Sequence, residues 1–310
     1  MATYLVTGVA GFIGSNLAAD LLASGERVRG VDNFSSGKRN NLTALHGLDL
    51  IEGTIADPEI CRRACSGVDY VLHHAAIPSV PRSVAEPIET DRVNVHATVQ
   101  LLAAARDASV KRFVFAGSSA AYGDSPAPKK REEMLPAPLS PYGAQKVACE
   151  LYLRAFHRCY GLETVGLRYF NVFGPQQDPQ SEYAAVIPKF ITALLAGEAP
   201  PIFGDGQQTR DFVYIANVIH ANRLACTAPG VAGHLFNVAC GEPLDLNALV
   251  SILNELTGQQ LAARHLPPRA GDIRDSLADI SKARTMLGYE PVVPTREGLS
   301  RTVAWYKSRA

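Results

Sequence analysis

The stretch that most restricts this chain is Tyr4-Leu5-Val6-Thr7-Gly8-Val9-Ala10-Gly11-Phe12-Ile13-Gly14. A short apolar, β-rich run meets glycine, and Ile13, Leu17 and Leu21 then recur at helical spacing until Gly25 breaks the pattern. This predicts a strand, a tight turn and a helix. Gly8, Gly11 and Gly14 let the turn's backbone take positive φ and approach a ligand closely, while the first N–H groups of the helix lack intrahelical partners and sit at its positive end. A pyrophosphate fits there. A second strand, Arg27 to Val31, runs into Asp32, eighteen residues past Gly14, close to where a carboxylate grips a ribose 2′-hydroxyl. That carboxylate would repel a 2′-phosphate, which favours NAD over NADP; the nearby cations Lys38 and Arg39 pull the other way.

Charge and composition exclude several classes. Lysine plus arginine number 30, as do aspartate plus glutamate, so no strong field favours nucleic acid or an anionic membrane, and any anion site must be local. No apolar run approaches a membrane span, and Met1-Ala2-Thr3 leads directly into the first strand, so a soluble, cytoplasmic protein is expected. Six cysteines show neither paired C-x-x-C spacing nor a disulfide framework. They are expected to be reduced, and no metal site is expected.

Strand-like and helix-like segments alternate through the first half, with strands at Asp49–Ile51, Tyr70–Leu72, Phe113–Phe115 and Thr164–Leu167, and a helical stretch from Asp91 to Ala108. Alternation of this kind specifies a parallel sheet covered by helices on both faces, with ligands gathered at the carboxyl ends of the strands. After Gly174-Pro175 the character changes. The expected fold is therefore α/β, a Rossmann-type doubly wound parallel sheet over residues 1–175 and a smaller C-terminal α/β substrate domain over 176–310. The strand Leu235–Ala239 is a candidate to return to the large sheet. The second unit is read as carrying helices at Val186–Leu195, at Leu246–Leu256 with Asp245 as N-cap and Gly258 beyond its end, and at Ser281–Leu287.

Ser140-Pro141-Tyr142-Gly143-Ala144-Gln145-Lys146 reads as a helix start, with Ser140 at N-cap and Pro141 at N1. Tyr142 and Lys146 then share one face, a turn apart. A free phenol holds its proton until about pH 10, but a neighbouring ammonium stabilises the phenolate, which makes such a tyrosine a candidate general base for an alcohol. Two residues at i,i+4 equally describe an ordinary surface pair. Ser118, at the end of a predicted strand facing the same crevice, turns the reading towards chemistry.

Taken together, the glycine triplet, the Ser118 segment ending in Ala121-Tyr122-Gly123, and Tyr142-x-x-x-Lys146 resemble the extended short-chain dehydrogenase/reductase family, in its NAD-dependent sugar-nucleotide epimerase branch. The resemblance runs from about residue 3 to beyond 300. It implies that Ser118 hydrogen-bonds the reacting hydroxyl, that Tyr142 is the base, and that Lys146 binds the nicotinamide ribose and supports the phenolate. It implies an NAD site at Gly8, Gly11, Phe12, Ile13, Gly14, Asp32, Asn33, Ile55, Ala75 and Asn94, besides Tyr142 and Lys146, with Asn94 supporting the active-site network. A UDP-sugar substrate is implied at Ser79, Ser118, Ser119, Asn171, Gln177, Arg210, Arg269, Asp272 and Ser276. Arginines suit the diphosphate because a guanidinium meets phosphate oxygens bidentately. Homodimerisation through the helices at Asp91–Ala108 and Ser140–Tyr160 is implied as well.

Dehydratases of this family place an Asp-Glu pair directly after the catalytic serine or threonine, because eliminating water needs a further acid and base. This chain has Ser119-Ala120 there, and decarboxylating relatives also carry a glutamate at that place. Epimerisation at C4 remains. The resemblance makes Ser276 a gate beside C2 of the hexose, open to an N-acetyl group, with Ser79 and Gln177 matching residues that contact that group and the run Tyr183-Ala184-Ala185-Val186-Ile187-Pro188 adding to the likeness. Pro78 departs from an expected glycine and Thr54 from an expected aspartate. The readings left open are a UDP-hexose 4-epimerase preferring N-acetylated sugars, a UDP-glucose or UDP-glucuronate 4-epimerase with Arg82 as carboxylate partner, and, in a different class, a non-catalytic NAD-binding sensor.

Overall fold

Every residue of β1 (Thr3–Thr7) is buried, as expected of a strand covered on both faces. The computed structural model of the chain describes residues 1–179, 186–268 and 273–309. Strand β1 leads into α1 (Phe12–Ala23), and the first half continues as β2 (Arg27–Asp32), β3 (Asp49–Glu52), α2 (Pro58–Cys65) and β4 (Tyr70–His73). Next come α3 (Val80–Ala85), α4 (Pro87–Asp91), a π turn (Arg92–His96), α5 (Ala97–Asp107), β5 (Arg112–Ser118), α6 (Pro141–Tyr160) and β6 (Thr164–Tyr169). The later segments are β7 (Asn171–Phe173), α7 (Val186–Leu195), β8 (Pro201–Phe203), β9 (Thr209–Tyr214), α8 (Ile215–Thr227), β10 (His234–Val238), β11 (Pro243–Asp245), α9 (Leu246–Thr257), β12 (Arg264–Leu266), β13 (Asp275–Ser276) and α10 (Thr295–Lys307).

The central sheet has seven strands in the order β10-β6-β5-β4-β1-β2-β3, all parallel. This is the doubly wound α/β architecture expected from the sequence. Side chains alternate across it: Leu5, Val31, Val71 and Phe113 pack with α2, α5 and α6, whereas Val6, Leu72 and Val114 pack with α1 and α8. The strand order reverses between β1 and β4, and a crevice opens beyond their carboxyl ends. Strand β10 pairs in register with β6, Asn237 beside Arg168, so the chain comes back to the large sheet after leaving it. A smaller sheet, with β11, β13 and β7 all paired to β9, covers the crevice's far side.

Local signals set the helix ends. Asp245 caps α9 by accepting from the Ala248 amide at 2.8 Å, and Gly258 ends it in the left-handed conformation. The helix read over Asp91–Ala108 is interrupted by the π turn, which widens the helix at Asn94. All six cysteines are free, five of them buried. Among the described residues no helix is long and apolar enough to cross a membrane, and no cluster of His, Cys, Asp or Glu could hold a metal ion.

Candidate active site

The crevice is a cleft of about 880 Å³, and the glycine turn forms one wall. Gly8 has φ +68°, and a Cβ there would lie 2.9 Å from the Ala75 amide nitrogen. A Cβ on Gly14 would lie 2.2 Å from the Gly8 carbonyl oxygen, a clash that only glycine avoids. The turn is closed by Gly11 N–H donating to that carbonyl at 3.0 Å and Gly8 N–H donating to Val31 O at 2.8 Å. Phe12, Ile13 and Gly14 line the cleft at the start of α1, where backbone N–H groups lack intrahelical acceptors. The result is a cradle for an anion.

Asp32 closes β2 on the same wall. Its carboxylate accepts from the Ala10 and Phe34 amides, both at 2.8 Å, which fixes its plane and leaves lone pairs for a ligand diol. The two cations that argued for a 2′-phosphate are both compensated. Lys38 pairs with Asp178 at 2.6 Å, while Arg39 pairs with Glu52 at 2.6 Å and stacks on the Phe34 ring. Asn33, Ile55 and Ala75 also line the cleft. The cradle, the carboxylate and the compensated cations together suit a dinucleotide whose ribose keeps its free 2′-hydroxyl.

The opposite wall holds the reactive side chains. Ser118 ends β5, and its Oγ accepts from the Ala120 amide at 3.2 Å, starting a short 3₁₀ turn over Ser119–Tyr122. Ser140 caps α6 by accepting from the Gly143 amide at 3.2 Å, and the Tyr142 amide donates to Ser83 Oγ at 3.0 Å, so the helix start is held from two sides. A Cβ on Gly143 would lie 2.9 Å from Ala120 O; its absence lets α6 press against the serine turn. Lys146 is buried, its Nζ donating to Ala116 O at 2.8 Å, and lies 4.8 Å from the centre of the Phe115 ring and 5.8 Å from that of Tyr142. Ser118, Tyr142 and Lys146 all line the cleft opposite the glycines.

Behind these walls run two buried polar networks. Thr7 Oγ1 accepts from the His74 and Ala75 amides at 3.1 Å and bonds His73 Nδ1 at 2.7 Å. His73 Nε2 bonds Thr98 Oγ1 at 2.8 Å, and Thr98 donates to Asn94 O at 2.6 Å. Burial, with Lys146 and His74 adding to it, pushes the His73 imidazole well below its ordinary range, so it stays neutral. In the second network Arg168 meets Glu150 through Nε at 2.9 Å and Nη2 at 2.7 Å. Burial works against the charge on Arg168, but the hydrogen bonds and charge of Glu150 outweigh it and raise its affinity for its proton.

Several residues that the resemblance names do not line the cleft. Asn94 does not line the cleft: its side chain accepts from the Ile77 amide at 2.7 Å and donates to Gln145 Oε1 at 2.8 Å, so it braces the wall from behind. Ser79 is buried and caps α3, accepting from the Arg82 amide at 3.0 Å. Neither it nor Ser119 nor Ser276 lines the cleft, although β13 pairs Ser276 with Arg210, which does. Asn171, Gln177 and Arg210 do line it, as do Pro78 and Arg82. Arg269, Asp272 and Tyr183–Ala185 lie outside the described residues.

Gln176, which motif reading passed over, also faces the cleft. It sits at φ +69°, and its Oε1 accepts from Ser15 Oγ at 2.7 Å and Asn16 Nδ2 at 3.3 Å on the first turn of α1. A glutamine in a polar loop gives no signal of this. The only hint was its place directly after Gly174-Pro175.

Fold and site together define an enzyme of the dinucleotide-dependent class, with a Ser-Tyr-Lys constellation facing the cofactor cradle. Residues 4–239 match the family described as "NAD dependent epimerase/dehydratase family", and the chain belongs to it. A UDP-glucose 4-epimerase of Mycolicibacterium smegmatis is 39% identical over 99% of both chains. Among solved structures, a UDP-N-acetylglucosamine 4-epimerase from Methanobrevibacter ruminantium, in complex with UDP-N-acetylmuramic acid, superposes with a TM-score of 0.95 at 41% identity, covering 100% of this chain and 99% of that one. A UDP-glucose 4-epimerase from Thermotoga maritima with UDP-glucose gives 0.94 at 40% identity, covering 99% of each. NAD is the cofactor of this family, and the cradle described above accommodates it.

Proposed function

We propose that this chain is a UDP-hexose 4-epimerase that interconverts UDP-N-acetylglucosamine and UDP-N-acetylgalactosamine, with UDP-glucose and UDP-galactose as weaker substrates. The observation that carries the reading is the meeting of Ser118, Tyr142 and Lys146 on one cleft wall, across from the glycine cradle, with no carboxylate at Ser119 or Ala120. Bound there, NAD supplies a reversible hydride acceptor, so oxidation and reduction at one carbon cancel over a cycle. Tyr142 removes the proton of the sugar 4-hydroxyl while Ser118 hydrogen-bonds the same oxygen. Lys146, anchored at the Ala116 carbonyl, keeps positive charge beside the phenolate and has further N–H groups for the cofactor ribose. Asn171 and Arg210 hold the nucleotide diphosphate and Gln177 faces the N-acetyl group, so the 4-keto sugar alone turns, presents its other face to the returning hydride, and takes its proton back from Tyr142.

One observation favours a second sugar preference, for UDP-glucuronate. Arg82 lines the cleft while Ser79 and Ser276 do not, and its guanidinium pairs with the exposed Glu86 at 2.9 Å. A uronate carboxyl could compete for it. We also propose a cytoplasmic homodimer: Leu151, Tyr152 and Ala155 form an exposed apolar stripe on α6, and Val99 and Ala103 are half-buried on the neighbouring α5.

Proton NMR of purified protein with UDP-N-acetylglucosamine, UDP-glucose and UDP-glucuronate in parallel, without added cofactor, tests the reading. Fastest inversion of UDP-N-acetylglucosamine supports it, and fastest inversion of UDP-glucuronate transfers it to Arg82. Tyr142→Phe is expected to lower turnover by about 10²- to 10⁴-fold with NAD still bound. Unchanged function in that variant would instead favour the sensor.

A further inference from the structure

The Glu150–Arg168 pair is an unusual thing to bury. Its side chains are 3% and 2% exposed, and the bidentate fork is complete. Desolvating two charges costs so much that well-packed apolar residues of like volume often stabilise a fold at least as well, so stability alone is a weak reason for the pair. Its location supplies a better one. Glu150 lies on α6, one turn beyond Lys146 and two beyond Tyr142, on the face turned to the sheet. Arg168 stands near the end of β6, in register with Gly117, the residue before Ser118. A Cβ on Gly117 would come within 3.3 Å of Glu150 Oε1, so the bare backbone of β5 lets the carboxylate sit directly behind the serine strand.

The guanidinium continues the connection. It lies 4.6 Å from the centre of the Tyr122 ring, in the 3₁₀ turn that Ser118 begins. Tyr122 Oη donates to Asn237 Oδ1 at 2.6 Å on β10, and Asn237 Nδ2 donates to the carbonyls of Lys130 at 2.9 Å and Asp279 at 3.0 Å. Every element that carries a reactive side chain therefore touches this one ion pair. A planar fork fixes distance, rotation and tilt together, which an apolar contact between helix and sheet does not.

We propose that Glu150 and Arg168 are positioning residues for the reaction: their fork sets α6 against β5 and β6 and thereby aligns Tyr142 and Lys146 with Ser118. The inference rests on the 4-epimerase reading. Sub-ångström error in a proton-transfer pair is costly, since about 1 Å of misplacement removes roughly 10²-fold in rate. Two variants test it in the same NMR assay as the wild type. Arg168→Lys keeps the charge and loses the fork; Glu150→Leu with Arg168→Met removes both charges and preserves apolar packing.

The expected result is a kcat lowered about 10- to 100-fold in both, with KM for the UDP-sugar within about threefold, NAD content after denaturation and chromatography equal to wild type, and a melting temperature close to it. A folded Arg168→Lys variant with kcat within threefold of wild type overturns the proposal, whether or not the double variant folds. A double variant that melts like wild type and keeps its kcat does so too. Equal loss of kcat, NAD content and melting temperature would show a merely structural role and would also overturn it. A wild-type protein that binds NAD but turns over no UDP-hexose overturns the epimerase reading itself, and the inference falls with it.

Discussion

Replacing Gly14 by alanine should separate cofactor binding from folding. The added methyl would sit 2.2 Å from the Gly8 carbonyl oxygen and 2.9 Å from both Gly8 C and Val9 Cα, all backbone atoms that no rotamer change can move aside. Reaching even 3.0 Å requires the turn and α1 to part by about 0.8 Å. Overpacking of this kind costs about 1–3 kcal/mol. If the strain falls on the cradle, NAD affinity drops by roughly 5- to 150-fold. Gly25→Ala is the control: φ is +80° there but no atom lies within 4 Å of the added carbon, so it should lose about 1 kcal/mol of stability to backbone strain and leave NAD binding alone. Calorimetric titration of NAD into cofactor-stripped protein, with urea unfolding alongside, reads both quantities. A Gly14→Ala protein that binds NAD within twofold of wild type would refute the steric argument.

Three further outcomes follow from the site. His73 is held neutral by burial, so its contribution to stability is complete above its ordinary pKa of about 6.5 and is lost as pH falls below that, when the unfolded chain takes up a proton the fold refuses. The stability gap between wild type and His73→Gln should therefore narrow on acidification, read by urea unfolding from pH 7 downwards. Asp211 behaves oppositely: burial pushes its carboxyl up to about 7 despite amide donors from Cys240, Ala278 and Gly241, so its contribution is present below about pH 4 and lost as pH rises through 7. Wild type should lose ground to Asp211→Asn over that rise, and a constant gap would contradict the assignment. Lys38 and Asp178 both line the cleft and pair at 2.6 Å, a partly exposed contact that contributes of order 0.2–1 kcal/mol, so Lys38→Met should speed NAD release about 1.5- to 5-fold, and salt should do the same to wild type alone.

The parallel sheet was legible because burial on both faces forces near-continuous apolar strands, and β1, β4, β5 and β6 all carry that mark. Helix caps were equally plain at Ser140 and Asp245, where one side chain meets one amide. Less was visible wherever function depends on what a side chain turns towards. Asn94 and Ser79 occupy telling places in the sequence, yet their polar groups serve Ile77, Gln145 and Arg82. Gln176 gave no sign of reaching α1, because the contact joins residues 161 positions apart. Arg168 directly follows the strand read at Thr164–Leu167, and only the fold shows Glu150 waiting for it behind the sheet.

The return of β10 to the edge of the central sheet has a practical meaning for anyone who would build chimaeras from this chain. The segment after Pro175 is not a cassette that can be spliced on there, since the chain recrosses into the central sheet at His234–Val238 before leaving again. A donor segment must either carry its own seventh strand, with an asparagine to meet Tyr122, or be joined at two seams that leave this strand in place. Circular order, not just length, governs which grafts can close.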